Sequence, residues 1–89
     1  MEFEFDPAKS RANEAKHGIG FTEAVELWDD EYRVEITART TGEARFLVIG
    51  RIGDRHWSVV ITYRGEKVRI ISARRSRIEE VTWYENQGE

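Results

Sequence analysis

Arg64 and Arg74 are the residues with which this chain could do chemistry. Each ends an apolar, β-branched run, Trp57–Tyr63 and Val68–Ala73, where a purely structural role asks for no guanidinium. Arginine brings a permanent charge and a rigid fork of donors that matches the oxygens of a phosphate. Arg45, Arg69, Arg75 and Tyr63 lie in the same section, and Lys16-His17 lies far upstream. A histidine titrates near ~6.5 and can move a proton at neutral pH; Tyr63, Tyr84 or a lysine could do so only with a shifted pKa. Such a set is chemically sufficient to cleave RNA without a metal. The ribose 2′-hydroxyl is already the nucleophile, so the protein has to orient it, stabilise charge on the reacting phosphate and move protons. DNA lacks that hydroxyl and could not react this way.

Other chemistries find little here. With no cysteine there is neither a thiolate nucleophile nor a disulfide framework, and His17 and His56 alone make no zinc set. The chain has no Gly-rich phosphate loop, no Gly-x-Ser-x-Gly elbow and no His-Glu-x-x-His. Asp29-Asp30-Glu31 lacks the further ligands that a cation needs. No metal and no cofactor is expected.

The elements that must position these residues follow from periodicity. Glu2-Phe3-Glu4-Phe5 alternates as a short strand. Asp6-Pro7 announces a helix, with Asp6 as N-cap and Pro7 at the first helical position, running to about His17 and stopped by Gly18. Lys16-His17-Gly18 is thus first of all a helix stop, with the two cations placed to suit the helix dipole. Thr22 is the expected cap of a second helix over Glu23–Trp28, with Phe21, Ala24, Val25 and Trp28 on its core side. From Tyr32 the period becomes two, with Tyr32, Val34, Ile36 and Ala38 alternating against polar neighbours. Thr40-Thr41-Gly42 turns the chain into a strand over Arg45–Ile52. Gly53-Asp54 and Gly65-Glu66 then read as Gly-first hairpin turns around a strand from His56 to Arg64. On the last strand the alternation places Val68, Ile70, Ser72 and Arg74 on one face and Lys67, Arg69, Ile71 and Ala73 on the other. Ser76 is the expected cap of a final helix, with Glu79 completing a capping box and Ile78, Val81 and Tyr84 at helical spacing. The tail from Asn86 is expected to fray. The fold class is α+β: a short N-terminal strand, two helices, a four-stranded antiparallel meander and a C-terminal helix, with one sheet face at least partly free.

Eighty-nine residues make one domain, 1–89. Its net charge of −3 conceals a segregation. Residues 1–31 hold nine acids against three bases, residues 32–77 hold eleven bases against four acids, and residues 78–89 hold four acids and no base. A basic sheet section between acidic helical ends suits a polyanion. Solvated charges also keep sheet edges from aggregating, which accounts for most of these arginines but poorly for Arg64 and Arg74. No apolar run approaches the ~20 residues of a membrane span, and the acidic N-terminus does not suit a secretory signal, so a cytoplasmic protein is expected.

Asn13, Lys16-His17-Gly18, Phe21, Ala24, Glu43-x-Arg45, Gly50, Tyr63, the run Arg69-Ile70-Ile71-Ser72-Ala73-Arg74-Arg75, Glu80 and Tyr84 together resemble the pattern of the BrnT toxins, the ribonuclease halves of bacterial BrnT–BrnA toxin–antitoxin pairs. The resemblance covers nearly the whole chain. It implies a RelE-like fold, endoribonuclease activity that arrests translation, and neutralisation by a BrnA-like antitoxin that also binds promoter DNA, in a two-plus-two assembly. By the same resemblance Arg64 and Arg74 are the phosphate-binding and transition-state-stabilising arginines, His17 the proton mover and Lys16 a phosphate contact, with Arg45, Arg69, Arg75 and Tyr63 bordering the RNA. Phe5 stands where that pattern commonly has Trp, and Ser76 where it has Ala. Two other readings use the same arginines: a non-catalytic RNA- or partner-binding module, and anchor points for an antitoxin surface.

Overall fold

The computed structural model describes residues 1–39 and 41–87. Along the chain these form β1 (Glu2–Glu4), α1 (Pro7–His17), α2 (Phe21–Ala24) leading into a 3₁₀ turn (Val25–Asp29), β2 (Val34–Arg39), β3 (Arg45–Ile52), β4 (Arg55–Arg64), β5 (Lys67–Arg75) and α3 (Ile78–Glu85). Thr40 of the expected turn and Gly88-Glu89 of the tail lie outside the described residues. The sheet order is β1-β5-β4-β3-β2. Strands β2 to β5 form the antiparallel succession that alternation predicts. The N-terminal strand, however, is a fifth member, parallel to β5 with Phe3 beside Val68 and Glu4 beside Arg69, so the sheet is mixed rather than four-stranded. Three alternating residues cannot specify a partner. The register of β1 is fixed by burial of Phe3 against the core and by an ion pair between Glu4 and Arg69 at 2.7 Å.

Both hairpin turns form as their glycines require. Ile52 pairs with Arg55 and Arg64 with Lys67, and Gly53 and Gly65 carry φ of 64° and 61°, the positive value that the first loop position of a type II′ turn demands. Between those turns one irregularity resets the faces. Val60 pairs with Ser72 but Ile61 pairs with Ile70, so Ile71 is an extra residue in β5. Such a bulge shifts the period-two alternation by one. The expected grouping of Val68, Ile70, Ser72 and Arg74 on one face is therefore broken. Val68 and Ile70 face the core, Ala73 joins them there, and Ser72 and Arg74 turn to the opposite face beside their partners Val60 and Ser58.

On the core face, Ile19, Phe21, Ala24 and Leu27 pack on Val48, Trp57, Val59, Ile61, Val68, Ile70 and Ala73. Each large side chain buried this way contributes roughly 1.5–3 kcal/mol. Leu27 approaches β3 so closely that a Cβ at Gly50 would lie 2.9 Å from its side chain. The second helix is shorter than its spacing suggests, one α-turn tightening into the 3₁₀ turn. Gly20 rather than Thr22 is its N-cap, and the Phe21 amide donates to Ser10 Oγ on α1 at 2.8 Å.

α1 has almost no apolar stripe and is anchored by polar groups. Asp6 accepts from the Ala8 amide at 2.8 Å, Pro7 is its first residue, and Gly18 at φ 80° closes it. Asn13 docks it on the sheet. Beyond the three residues paired to β1, the outer edge of β5 needs another partner, and the Asn13 carboxamide supplies one. It donates to the Ala73 carbonyl at 2.9 Å and accepts from the Ala73 amide at 3.2 Å, imitating a strand.

α3 lies on the opposite sheet face. Its N-cap is Arg77 rather than Ser76, and Glu80 rather than Glu79 reaches back to the Arg77 amide at 2.9 Å. Ser76 turns instead to Ser58, with 2.8 Å between their hydroxyl oxygens. Because the buried Glu80 and the half-buried Tyr84, four residues apart, define the inward side, Ile78 falls about 200° around the helix from Glu80. It is accordingly 87% exposed, not part of the core.

Candidate active site

The sheet face opposite the core is divided. α3 covers one end, and at the other the backbone register assembles a row of cations. Phe46 pairs with Ile61, so the preceding Arg45 falls next to Thr62; Thr62 pairs with Arg69, and Arg64 with Lys67. Thr62, 3% exposed, spends its hydroxyl on the Ala44 carbonyl at 2.7 Å. Around it Arg45, Arg64 and Arg69, with Lys9 from α1, line a cavity of about 150 Å³ that Glu43 and Asp6 also border.

These arginines are loosely held. Glu43 reaches Arg64 at 3.6 Å and Arg45 at 3.8 Å, one carboxylate oxygen to each, which is ion pairing without hydrogen bonding. Arg45 Nε is buried and has no hydrogen-bond partner among the described residues; such a donor carries a cost that an incoming acceptor relieves. Only Arg69 is firmly engaged, through Glu4. The cavity therefore presents guanidinium groups whose present partners a phosphate could replace.

Lys16 and His17 lie in an adjacent cavity of about 260 Å³, between α1 and β5. Lys9 and Ile71 line both cavities and so mark their common wall. Lys9 was not singled out from the sequence, although Lys9, Ala12 and Lys16 at helical spacing share one side of α1. Glu43 likewise shows its position only once β3 is registered on β4.

Arg74 is placed elsewhere. It pairs with Ser58, six residues along β4 from Arg64, which is about 20 Å at about 3.3 Å per residue. Its Nη1 and Nη2 donate to the two oxygens of Glu80, both at 2.8 Å. Glu80, 4% exposed, also receives the Ser58 hydroxyl at 2.8 Å and the Arg77 amide. Burial alone would raise the Glu80 pKa, but Arg74, the Arg77 amide and Ser58 together hold it at about 2. Arg75 lies on the core side with its guanidinium 5.6 Å from the Trp57 ring centroid, outside both cavities.

Neither tyrosine is poised to accept a proton. Tyr63 is pushed up to about 12 by burial and by its hydrogen bond to Glu35, 2.5 Å long. Tyr84 is likewise pushed up to about 12 by burial and by donating to Asp30 at 2.7 Å. Asp30 in turn accepts from the Tyr32 and Arg51 amides; burial pushes its carboxyl up, but these bonds outweigh that and hold it below its ordinary value. A further cavity, about 540 Å³, adjoins this group and is bordered by Glu26, Asp29 and Asp30 beside Arg51, a mainly acidic lining unsuited to a polyanion. Among the described residues no group of three or more histidine, cysteine or acidic side chains could hold a metal ion, and no helix is long and apolar enough to cross a membrane.

The family model described as "Ribonuclease toxin, BrnT, of type II toxin-antitoxin system" matches residues 5–80. No curated protein matches the chain.

Proposed function

The chain belongs to the BrnT family of ribonuclease toxins of type II toxin–antitoxin systems, and from that premise we propose a metal-independent endoribonuclease that arrests translation and works at the cavity bordered by Arg45, Arg64 and Arg69. The observation that carries this reading is the convergence of those three arginines and Lys9 on one small cavity. Three guanidinium groups and an ammonium gathered there supply at the phosphate the positive charge that a metal supplies in other nucleases. In the proposed reaction the 2′-oxygen bonds to phosphorus as the bond from phosphorus to the 5′-oxygen breaks. His17 takes the 2′-hydroxyl proton, the 5′-oxygen takes one from solvent, and a 2′,3′-cyclic phosphate and a 5′-hydroxyl result. Arg64 is the principal transition-state partner. Arg45 and Arg69 bind the same phosphate, and Lys16 and Lys9 guide the strand. Arg74, held by Glu80, is assigned to the docking of α3.

Its partner is an antitoxin protein; we propose a BrnA-like one, in a two-plus-two assembly that contacts promoter DNA only through the antitoxin, in the cytoplasm. The sheet with its helices is read as a RelE-like arrangement carrying an added parallel edge strand.

The test is cleavage of bulk RNA by the purified protein in excess EDTA, parent against Arg64→Ala, with circular dichroism confirming that both are folded. Cleavage by the parent alone, leaving cyclic or 3′-phosphate ends, supports the reading. Salt-dependent RNA binding without cleavage, and without toxicity on expression, would turn it into a binding module.

A further inference from the structure

The second cavity differs in character from the arginine cavity it adjoins. Two of its walls are apolar, Ala12 of α1 and Ile71 of β5, and Ser72, His17, Lys16 and Lys9 stand around them. Ile71 is there because it is the bulged residue of β5, turned out of the alternation that would otherwise have paired it. Among the described residues the Ser72 hydroxyl and the His17 imidazole make no side-chain hydrogen bond, whereas Asn13, also in the lining, spends its carboxamide on Ala73 and Ile19. An apolar slot with a few unused donors and acceptors at its edge suits a planar heterocycle better than a phosphate.

We infer that this cavity between α1 and β5 is a nucleobase subsite, which takes the base of the nucleotide whose 3′-phosphate sits in the Arg45–Arg64–Arg69 cavity. The inference deepens the ribonuclease reading and rests on its phosphate site. The shared wall at Lys9 and Ile71 sets the geometry: base on one side, scissile phosphate on the other, and the ribose crossing between them over that wall. The base 5′ to the cut is therefore the one that this protein reads. Ala12 and Ile71 supply the surface on which it lies, and Ser72 contacts its polar edge.

Nucleoside 3′-monophosphates span both cavities and cannot be cleaved, so they are the probes, with inorganic phosphate and the free nucleosides as references. Binding is followed by chemical shift changes in the full chain. At least one 3′-nucleotide should bind about ten-fold or more tighter than inorganic phosphate, as burial of a heterocycle's apolar surface provides. Ala12 is an exposed helix position where leucine is well tolerated; Ala12→Leu fills the slot, and the ratio of nucleotide to phosphate affinity should fall about ten-fold with it. Ser72→Ala should reorder the four 3′-nucleotides, and RNA cleavage by Ala12→Leu should lose its preference for the base 5′ to the cut. Equal binding of nucleotides and inorganic phosphate, or a ratio untouched by Ala12→Leu, overturns the subsite. If instead free nucleosides shift the Ala12 and Ser72 signals while inorganic phosphate does not bind, the subsite stands and the phosphate site is what fails.

Discussion

Arg64 and Arg74 are the same residue type on the same sheet face, about 20 Å apart by strand geometry, and they are held in opposite ways. Arg64 is 56% exposed and meets a half-open Glu43 at 3.6 Å. The Arg74 side chain is 25% exposed and grips the buried Glu80 with two bonds of 2.8 Å. The difference lies in the partner. A carboxylate buried on a helix that must dock cannot release its arginine without leaving a charge stranded in the interior. A carboxylate at a solvent-facing turn can do so at little cost. On the reading proposed above, one guanidinium is a structural bolt and the other is available to a ligand, so an arginine at the end of an apolar strand is not in itself a site.

The largest effect expected from this contrast is on stability. Arg74→Ala should lower the unfolding free energy by about 3–5 kcal/mol, the range for breaking a buried pair on one side and a large part of what a small domain possesses. A double replacement by apolar residues, Arg74→Met with Glu80→Leu, should recover much of that loss. Urea denaturation of the three proteins checks this. If Arg74→Ala unfolds like the parent yet cannot cleave RNA, the bolt is wrongly assigned and Arg74 returns to the catalytic set.

Arg64→Ala should do the reverse. Removal of a charge-stabilising donor typically costs about 10²–10³-fold in rate, whereas an exposed side chain of this kind changes stability by no more than about 0.5 kcal/mol. RNA cleavage and the urea midpoint, measured on the same preparation, separate the two effects. Loss of both together would erase the distinction.

Acid should reveal the bolt as well. Glu80 is held at about 2 against an ordinary value near ~4.3. A depressed carboxylate contributes stability that is fully present above its unfolded pKa and is lost as pH falls towards its folded one. The parent should therefore lose about 2.5 kcal/mol between about pH 4.5 and pH 2 from this group. Glu80→Gln should lack that component of the slope, whatever its stability at neutral pH. Urea midpoints at about pH 5 and about pH 3 measure it; parallel slopes in parent and variant would show that the carboxylate is not held as described.

Local signals in the sequence indicate most of the architecture but not its registers. Asp6-Pro7, Gly18, Gly53 and Gly65 act through their own dihedrals and nearest neighbours, so each is legible where it stands. The bulge at Ile71 is not, because one extra residue in β5 is visible only against β4; with it went the face assignment of Ser72, Ala73 and Arg74. The identity of the α3 cap was missed for a related reason. Ser76 and Glu79 satisfy the local pattern, but Ser58 claims Ser76 and Arg74 claims Glu80 from across the fold. At the site, the basic section was legible as composition and Arg64, Arg45 and Arg69 as candidates. Their separation from Arg74 follows already from the Gly65-Glu66 turn, whereas the entry of Lys9 and Glu43 depends on strand pairing and on Asn13 clamping α1 to the edge of β5. Arg75 and Tyr63, expected to border the RNA, lie against Trp57 and Glu35.

The smallest effect is the one that most directly probes how loosely Arg64 is held. Glu43 lies 3.6 and 3.8 Å from two guanidinium groups, beyond hydrogen-bonding range, and is 42% exposed, so each pair is worth no more than about 1 kcal/mol. Glu43→Gln should accordingly leave the urea midpoint within about 0.5 kcal/mol of the parent. A phosphate entering the cavity has to displace that carboxylate or tolerate its charge. Its removal should therefore tighten RNA binding a few-fold, about 0.5–1 kcal/mol at low ionic strength, with the gain shrinking as salt is added. Anisotropy titrations with a labelled, 2′-deoxy-substituted oligonucleotide separate binding from cleavage. A weakening of binding by Glu43→Gln would mean that the carboxylate orders Arg45 and Arg64 for the phosphate, and the two arginine centres would then differ in degree of constraint rather than in kind.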